Sequence, residues 1–295
     1  MNAATAAAPR SAHGWSEWPA PAKLNLFLHI VGRRADGYHL LQSVFQLLDW
    51  GDTVRLRPRA DGVIHRLDPL PGIAVADDLA VRAAHALQAE TGSHWGADIA
   101  IDKCIPLGGG LGGGSSDAAT VLVALNRLWD THLDEDRLAG IGVRLGADVP
   151  VFVRGRSAWA EGIGECLTPL DLPQRWYVLI DPGVRVPTAD LFRAADLTRD
   201  APHLTIPCFF SGAPTTNVFE PVVRGRFPEV ARALDWLGER AAARMSGSGG
   251  CVFAEVAGAG AGHAILADCP REWCGFVARG VARSALLRRL CDGSE

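Results

Sequence analysis

A run of glycines in the middle of the chain is the first feature that could do chemistry. Residues 106–117 read PLGGGLGGGSSD, and six of the seven residues from 108 to 114 are glycine. Glycine leaves backbone N–H groups uncovered, and Ser115 or Ser116 is placed to cap a helix that begins near Ala118. Because a helix N-terminus attracts anions, the segment predicts a loop that cradles phosphate. A flexible linker is the alternative.

The same glycines do not satisfy the two common nucleotide-binding motifs. Gly108, Gly110 and Gly113 fit G-x-G-x-x-G, but a dinucleotide site also needs a strand directly before it and an acid at the end of the next strand. The nearest candidate acid, Asp130, lies instead at the end of the predicted helix. The P-loop pattern fails because no lysine follows the glycines. The pattern therefore indicates a phosphate site of another class.

Two shorter segments carry residues of the same kind. Lys23 and Asn25 alternate in PAKLNL (residues 21–26), so both side chains are expected on one face of an early strand. Near the C-terminus, MSGSGG (residues 245–250) precedes the apolar strand CVFAEV and predicts a second loop with close backbone approach. Taken alone, the lysine is typical of a solvated side chain and the glycines of an ordinary turn.

Together, the three segments resemble the three motifs of the GHMP small-molecule kinases, a superfamily that includes galactokinase, homoserine kinase and mevalonate kinase. They occur in the expected order, and the resemblance covers the whole chain. It implies an α+β protein with an N-terminal ATP-binding lobe at residues 1–160 and a C-terminal substrate lobe at residues 161–295. Residues 1–18 have no role in the family and are expected to be disordered.

A closer resemblance concerns residues 32–39 (GRRADGYH) and 145–165 (LGADVPVFVRGRSAWAEGIGE). Both are similar to one branch of these kinases, which phosphorylates the 2-hydroxyl of a cytidine-diphosphate-linked polyol in the non-mevalonate isoprenoid pathway. The resemblance implies a small-molecule substrate with a cytidine diphosphate group. The alternatives are a GHMP kinase for another alcohol and a non-catalytic, ligand-binding relative. The GRRADGYH segment argues against the first, and the presence of both Lys23 and Asp148 argues against the second.

The resemblance also implies catalytic and cofactor-binding roles. Asp148 is the candidate base for the hydroxyl proton, and Lys23 is its expected partner near the transferring phosphoryl group. The ATP-binding residues that it implies are Lys103, Pro106, Leu107, Gly108, Gly109, Gly110, Leu111, Gly112, Gly113, Gly114, Ser115 and Ser116. Mg²⁺ is expected from the chemistry, held mainly by phosphate oxygens, with Ser115 and Asp117 as candidate contributors. The charge of Asp117 near ATP is unfavourable unless it faces a helix terminus or a metal ion.

Four residues are implied in substrate recognition by the same resemblance. Asn25 is expected to contact the polyol, and His39 to hydrogen-bond to the cytosine end. Tyr38 and Phe192 are expected to lie on the two faces of the cytosine ring. For Phe192, ordinary packing is the alternative, since the matching segment is short.

Composition limits the remaining function classes. The chain has 29 Lys and Arg against 33 Asp and Glu, a net charge of −4, which argues against nucleic-acid binding through a basic surface. No apolar run is long enough to span a membrane, and the N-terminal alanines are interrupted before a signal-peptide core can form. Seven cysteines without a C-x-x-C pair are typical of a reducing cytosol. We expect a cytoplasmic monomer or homodimer with no nucleic-acid or membrane partner.

Periodicity predicts the elements that position these residues. Alternation predicts strands at 22–30, 97–101, 176–180, 252–256 and 276–278, and helical spacing predicts helices at 79–89, 118–129, 138–145, 230–243 and 282–290. The elements follow one another without a regular β–α–β rhythm, which favours α+β over a doubly wound sheet.

Overall fold

The computed structural model describes residues 14–70 and 72–292. The strands are β1 (Ser16–Arg33), β2 (His39–Arg59), β3 (Ile64–Arg66), β4 (Gly96–Asp102), β5 (Ala158–Glu161), β6 (Cys166–Pro169), β7 (Trp176–Asp181), β8 (Ala243–Met245), β9 (Val252–Val256) and β10 (Cys274–Val281). The helices are α1 (Leu79–Thr91), α2 (Gly113–Leu128), α3 (Glu135–Leu145), α4 (Val149–Arg154), α5 (Thr188–Arg193), α6 (Ile206–Phe210), α7 (Glu220–Arg226), α8 (Pro228–Gly238), α9 (Ala259–Ala267) and α10 (Ala285–Asp292). This mixed order confirms the α+β prediction.

Two compact units make up the chain, and each is assembled from separate sequence segments. The first contains the described residues up to Ala20, Asp52–Lys103 and Gly114–Arg154. The second contains Pro21–Gly51, Cys104–Gly113 and the described chain from Gly155 onward. The two lobes expected at 1–160 and 161–295 stay a prediction. The strands β1 and β2 each contribute residues to both units.

In the first unit, the C-terminal part of β2 pairs antiparallel with β4, and β4 pairs parallel with β3. The helix α1 begins after Asp78, whose carboxylate accepts a hydrogen bond from the Ala80 N–H. The helix α2 is buried along most of its length, as its apolar run from Ala118 predicts. It begins at Gly113, five residues earlier than expected, so the end of the glycine loop forms its first turn.

In the second unit, the N-terminal part of β2 pairs with β10, which continues to β7, β9 and β8; all these pairs are antiparallel. Val178 and Val252 lie in a core with helix residues such as Leu234. Leu179, on the opposite face of β7, packs with Leu24 of β1. Because side chains alternate along a strand, the residues of β1 next to Leu24 point away from this core.

One predicted helix end is wrong. The helix expected at 230–243 ends at Gly238, and Ala243–Met245 forms the strand β8. Helix formers continue past Gly238, but the backbone of β8 pairs with β9 in register. Tertiary pairing therefore overrides local helix propensity at this position.

The expected N-terminal disorder is wrong for Ser16–Trp18, which begin β1. The indole of Trp18 is only 3% exposed and donates to the Ser16 hydroxyl at 2.8 Å. That hydroxyl lies 3.2 Å from the Leu56 carbonyl oxygen of β2. Burial of a large aromatic side chain orders this segment. Residues 1–13, which were also expected to be disordered, lie outside the described residues.

The state of the cysteines relates to the expected reducing cytosol, and the length of the helices relates to the expected lack of a membrane partner. All seven cysteine thiols are free. Burial raises the pKa of the Cys251 thiol well above its ordinary value, so this thiol stays protonated. Within the described ranges, no helix has both the length and the apolar character that a membrane span requires.

Candidate functional site

The glycine loop turns sharply because some of its residues adopt a left-handed backbone. The φ angles are 73° at Gly108, 75° at Gly110 and 76° at Gly112. The loop also lies directly against the third glycine segment in the second unit. The Cys251 N–H donates to the Gly109 carbonyl oxygen at 3.1 Å, and a Cβ at Gly110 would overlap the Ser246 carbonyl oxygen. The two glycine segments therefore pack backbone to backbone.

Lys23 and Asn25 lie together on one face of β1, and both are buried. The Lys23 ammonium donates to Asn25 Oδ1 and to the Gly110 carbonyl oxygen, the latter at 3.1 Å. The Asn25 amide donates to Ser43 Oγ at 2.8 Å, and its backbone N–H donates to Ser246 Oγ at 3.2 Å. Ser246 Oγ in turn donates to the Gly110 carbonyl oxygen at 3.1 Å. The second unit thus brings the three motif segments into one hydrogen-bonded cluster.

In the first unit, Lys103 is held by two buried carboxylates. Its ammonium lies 2.7 Å from Asp117 Oδ2 and also pairs with Asp52. Burial alone would lower the pKa of Lys103, but the charges of Asp117 and Asp52 raise it above its ordinary value. The positive charge beside Asp117 is therefore that of Lys103. The sequence did not predict this pairing. Lys103 as an ATP ligand stays a prediction.

Asp117 itself has an unusual titration. Burial raises its pKa to about 7, and the charge of Asp52 adds to this against the opposing effect of Lys103. The other carboxyl oxygen of Asp117, Oδ1, is buried without a hydrogen-bond partner. Within residues 14–70 and 72–292, no group of three or more His, Cys, Asp or Glu is arranged to hold a metal ion.

We expect Asp117→Asn to flatten the pH dependence of stability. The folded protein holds a proton on Asp117 up to a pH of about 7, whereas the unfolded chain releases it near 3.8. The stabilisation that the protonated Asp117 adds to the free energy of unfolding is fully present below pH 3.8. It is lost as the pH rises to about 7. An amide does not ionise, so its Tm should exceed that of the wild type by about 2–4 °C above pH 7. Thermal melts at several pH values measure this gain. Asp68→Asn, at an exposed position, is the control, and parallel profiles for Asp117→Asn and wild type would contradict the assignment.

Asp148 lies in the turn between α3 and α4 of the first unit, and its side chain is half-buried. The Val149 N–H donates to the Gly146 carbonyl oxygen at 3.1 Å, which closes the turn. A Cβ at Gly146 would lie 3.7 Å from Ser115 Oγ. The first unit therefore brings the Asp148 turn close to the first turn of α2. The role of Asp148 as base stays a prediction.

The residues expected at the cytosine end lie in the second unit. The rings of His39 and Phe192 stack with centroids 4.9 Å apart and an interplanar angle of 22°. Phe192 also packs edge-on against the buried Phe219, whereas Tyr38 is 60% exposed. The stacking of cytosine between Tyr38 and Phe192 stays a prediction. Sequence reasoning missed Arg199, whose Nε donates to His39 Nε2 at 3.3 Å.

Comparison with known proteins defines the class. Residues 78–156 match the GHMP kinases N terminal domain, and residues 202–273 match the GHMP kinases C terminal domain. The crystal structure of a mevalonate kinase from Methanococcus jannaschii has the same fold, with a TM-score of 0.66 over 92% of this chain and 100% of that chain at 17% identity. With the three motif segments in one cluster, the protein is a GHMP kinase.

More similar relatives narrow the family. The 4-diphosphocytidyl-2-C-methyl-D-erythritol kinase of Halorhodospira halophila is 59% identical over 284 residues, which are 95% of this chain and 98% of the relative. The Xylella fastidiosa protein of the same name is 58% identical over 93% of this chain and 92% of its own length. A crystal structure of 4-(cytidine 5'-diphospho)-2C-methyl-D-erythritol kinase matches with a TM-score of 0.77 and 34% identity over 90% of this chain and all of that one. The chain belongs to the family of these kinases.

Proposed function

We propose that the protein transfers the γ-phosphoryl group of ATP to the 2-hydroxyl of 4-diphosphocytidyl-2-C-methyl-D-erythritol. The products are ADP and the 2-phosphate, an intermediate of the non-mevalonate route to isoprenoid precursors. The observation that carries the proposal is the contact of the buried Lys23 ammonium with the Gly110 carbonyl oxygen, because it puts a cation at a loop of open backbone amides. The family membership supports the substrate.

The ATP phosphates are proposed to bind along residues 106–116. The loop has backbone N–H groups without side-chain cover, and it leads into α2, which is 16 residues long and has the positive end of its dipole at the loop. Lys103 is proposed to donate a hydrogen bond to ATP from the same ammonium that pairs with Asp52 and Asp117. Mg²⁺ would be held mainly by phosphate oxygens, and it would supply charge neutralisation for the transfer.

For the chemical step, Asp148 is proposed to accept the proton of the 2-hydroxyl as its oxygen attacks the γ-phosphorus. Lys23 is proposed to offset the negative charge on the transferring phosphoryl group. Asn25 would bind the polyol with the part of its amide that Lys23 and Ser43 do not occupy. Positioning and electrostatics supply most of the rate in phosphoryl transfer, so buried and hydrogen-bonded groups suit this role.

At the other end of the substrate, His39 is proposed to hydrogen-bond to cytosine, and Tyr38 and Phe192 are proposed to stack on it. The exposed ring of Tyr38 is open to a ligand, and Phe192 is held in place by Phe219. A cytoplasmic location, a monomeric or homodimeric state, and the lack of nucleic-acid and membrane partners belong to the same proposal.

Purified protein with ATP, Mg²⁺ and the cytidyl substrate should release ADP in a coupled assay. We expect its kcat/KM to exceed that for mevalonate or homoserine by at least about a hundredfold, because a site built for polar groups of one substrate rejects analogues that lack them. Equal or better turnover of mevalonate or homoserine would overturn the substrate assignment. Binding of the cytidyl substrate without ADP release would favour a non-catalytic relative.

A further inference from the structure

The guanidinium of Arg199, in the segment after α5, is held by the backbone of that same segment. Its Nη2 donates to the Ala194 carbonyl oxygen at 2.7 Å and to the Phe192 carbonyl oxygen at 3.0 Å. Its Nη1 donates to the Leu197 carbonyl oxygen at 3.1 Å. Three acceptors on one planar group fix its orientation before any ligand binds.

The remaining nitrogen of this guanidinium, Nε, is directed at His39. Arg199 Nε lies 3.3 Å from His39 Nε2. Since arginine has no acceptor, Nε2 must offer a lone pair. In a neutral imidazole the proton then resides on Nδ1. Stacking on Phe192 at 4.9 Å holds the plane of the same ring, so both its orientation and its tautomer are determined.

The other nitrogen of His39 is available to a ligand. Within the part of the chain that the structure describes, Nδ1 makes no hydrogen bond, and the ring is half-buried. Burial lowers the pKa of His39, and the charges of Arg199 and Arg33 lower it further. The ring therefore stays neutral into the mildly acidic range and presents a single N–H donor.

We propose that Arg199 is a positioning residue that holds His39 in the Nδ1–H tautomer, so that the ring donates to an acceptor on the substrate base. The ligand in this proposal rests on the proposed function, whereas the tautomer does not. Cytosine has acceptors at N3 and O2, while uracil carries a proton at N3. A fixed donor that faces N3 therefore favours cytosine over uracil, because a donor facing a donor leaves both unpaired.

The tautomer is measured directly by ¹⁵N NMR of the full chain, since a protonated ring nitrogen and one with a lone pair have different shifts. Wild-type His39 should show a proton on Nδ1 and a lone pair on Nε2 at neutral pH. Arg199→Met, which removes every donor but keeps the length, should shift the balance toward the Nε2–H tautomer. His39→Gln assigns the signal among the nine histidines. A proton on Nε2 in the wild type would overturn the assignment.

Kinetics test the consequence for the substrate. Arg199→Met should raise the KM for the cytidyl substrate about tenfold at a pH of about 8, the cost of one mispaired hydrogen bond, and leave the KM for ATP unchanged. As the pH falls far enough to protonate the ring, the imidazolium again carries a proton on Nδ1, so this KM should return toward the wild-type value. General damage to the segment would raise KM equally at every pH. Such a uniform rise, or no rise, would overturn the proposal.

Two further variants distinguish a role of Arg199 in setting the His39 tautomer from general damage to the segment. His39→Gln should raise the same KM without recovery in acid, because no imidazolium can form. Arg199→Lys retains a donor and should show a smaller rise than Arg199→Met. Turnover of the cytidyl substrate together with a proton on Nε2 would overturn the role of Arg199 and leave the proposed function intact. An Nδ1–H tautomer without any turnover of that substrate would overturn the function and the ligand, and support the tautomer alone.

Discussion

Asp148→Asn should lower kcat by at least about a hundredfold and change ATP affinity little. The amide has nearly the size of the carboxylate, so it fits the half-buried turn between α3 and α4, but it does not accept the proton of the attacking hydroxyl. The loss should therefore appear in the chemical step. Steady-state ADP release gives kcat and KM, and calorimetric titration of the same variant with ATP gives Kd.

Asp136→Asn is the matched control, because it makes the same chemical change on α3 at a side chain that is 80% exposed and paired with Arg154. Loss of a surface ion pair costs about 0–1 kcal/mol, so its kcat should equal that of the wild type. Near-wild-type kcat for Asp148→Asn would remove Asp148 from the role of base. A large loss of ATP affinity would place it at the nucleotide instead.

Gly110→Ala should destabilise the second unit and greatly weaken ATP binding. The φ of 75° at Gly110 is strained for alanine, and the new Cβ would overlap the Ser246 carbonyl oxygen and lie 3.1 Å from the Gly249 nitrogen. Both are backbone atoms, which no side-chain rotation moves away. The loop would have to shift, and the contact of Lys23 with the Gly110 carbonyl oxygen would be lost. We expect a loss of about 2–4 kcal/mol in stability, measured by chemical denaturation, with ATP affinity measured in parallel.

Two controls separate backbone strain from the overlap. Gly92 has a similar φ of 65°, but a Cβ there would meet no atom within 4 Å, so Gly92→Ala measures the strain alone. Gly140, inside α3, has neither a positive φ nor a near neighbour, and Gly140→Ala should stabilise the helix by about 0.5–1 kcal/mol. Gly110→Ala should cost clearly more than Gly92→Ala. Equal costs would show that the loop does not need close approach to Ser246.

Local features of the chain were predictable because their physics is local. The alternation of Lys23 and Asn25 places both on one face of β1, since strand side chains repeat every two residues. The glycines at 108–114 predicted a sharp loop because no other residue adopts their φ angles at little cost. The helix α2 followed from its apolar run. These inferences use only neighbours along the chain.

Pairs of distant residues were not predictable in the same way. Asp52 lies 51 positions before Lys103, and Arg199 lies 160 positions after His39. Nothing in the composition of either segment indicates its partner, because the pairing depends on which strands and loops become neighbours in space. The end of α8 at Gly238 has the same cause, since the pairing of β8 with β9 decides it.

By itself, the sequence determined the α+β class, the glycine loop and the resemblance to the GHMP kinases, since these depend on the identity and spacing of nearby residues. The tertiary structure alone decided that Lys103 pairs with Asp52 and Asp117 and that Arg199 contacts His39. A hydrogen bond or an ion pair acts over about 3–4 Å, and only the folded chain brings residues so far apart in sequence within that distance.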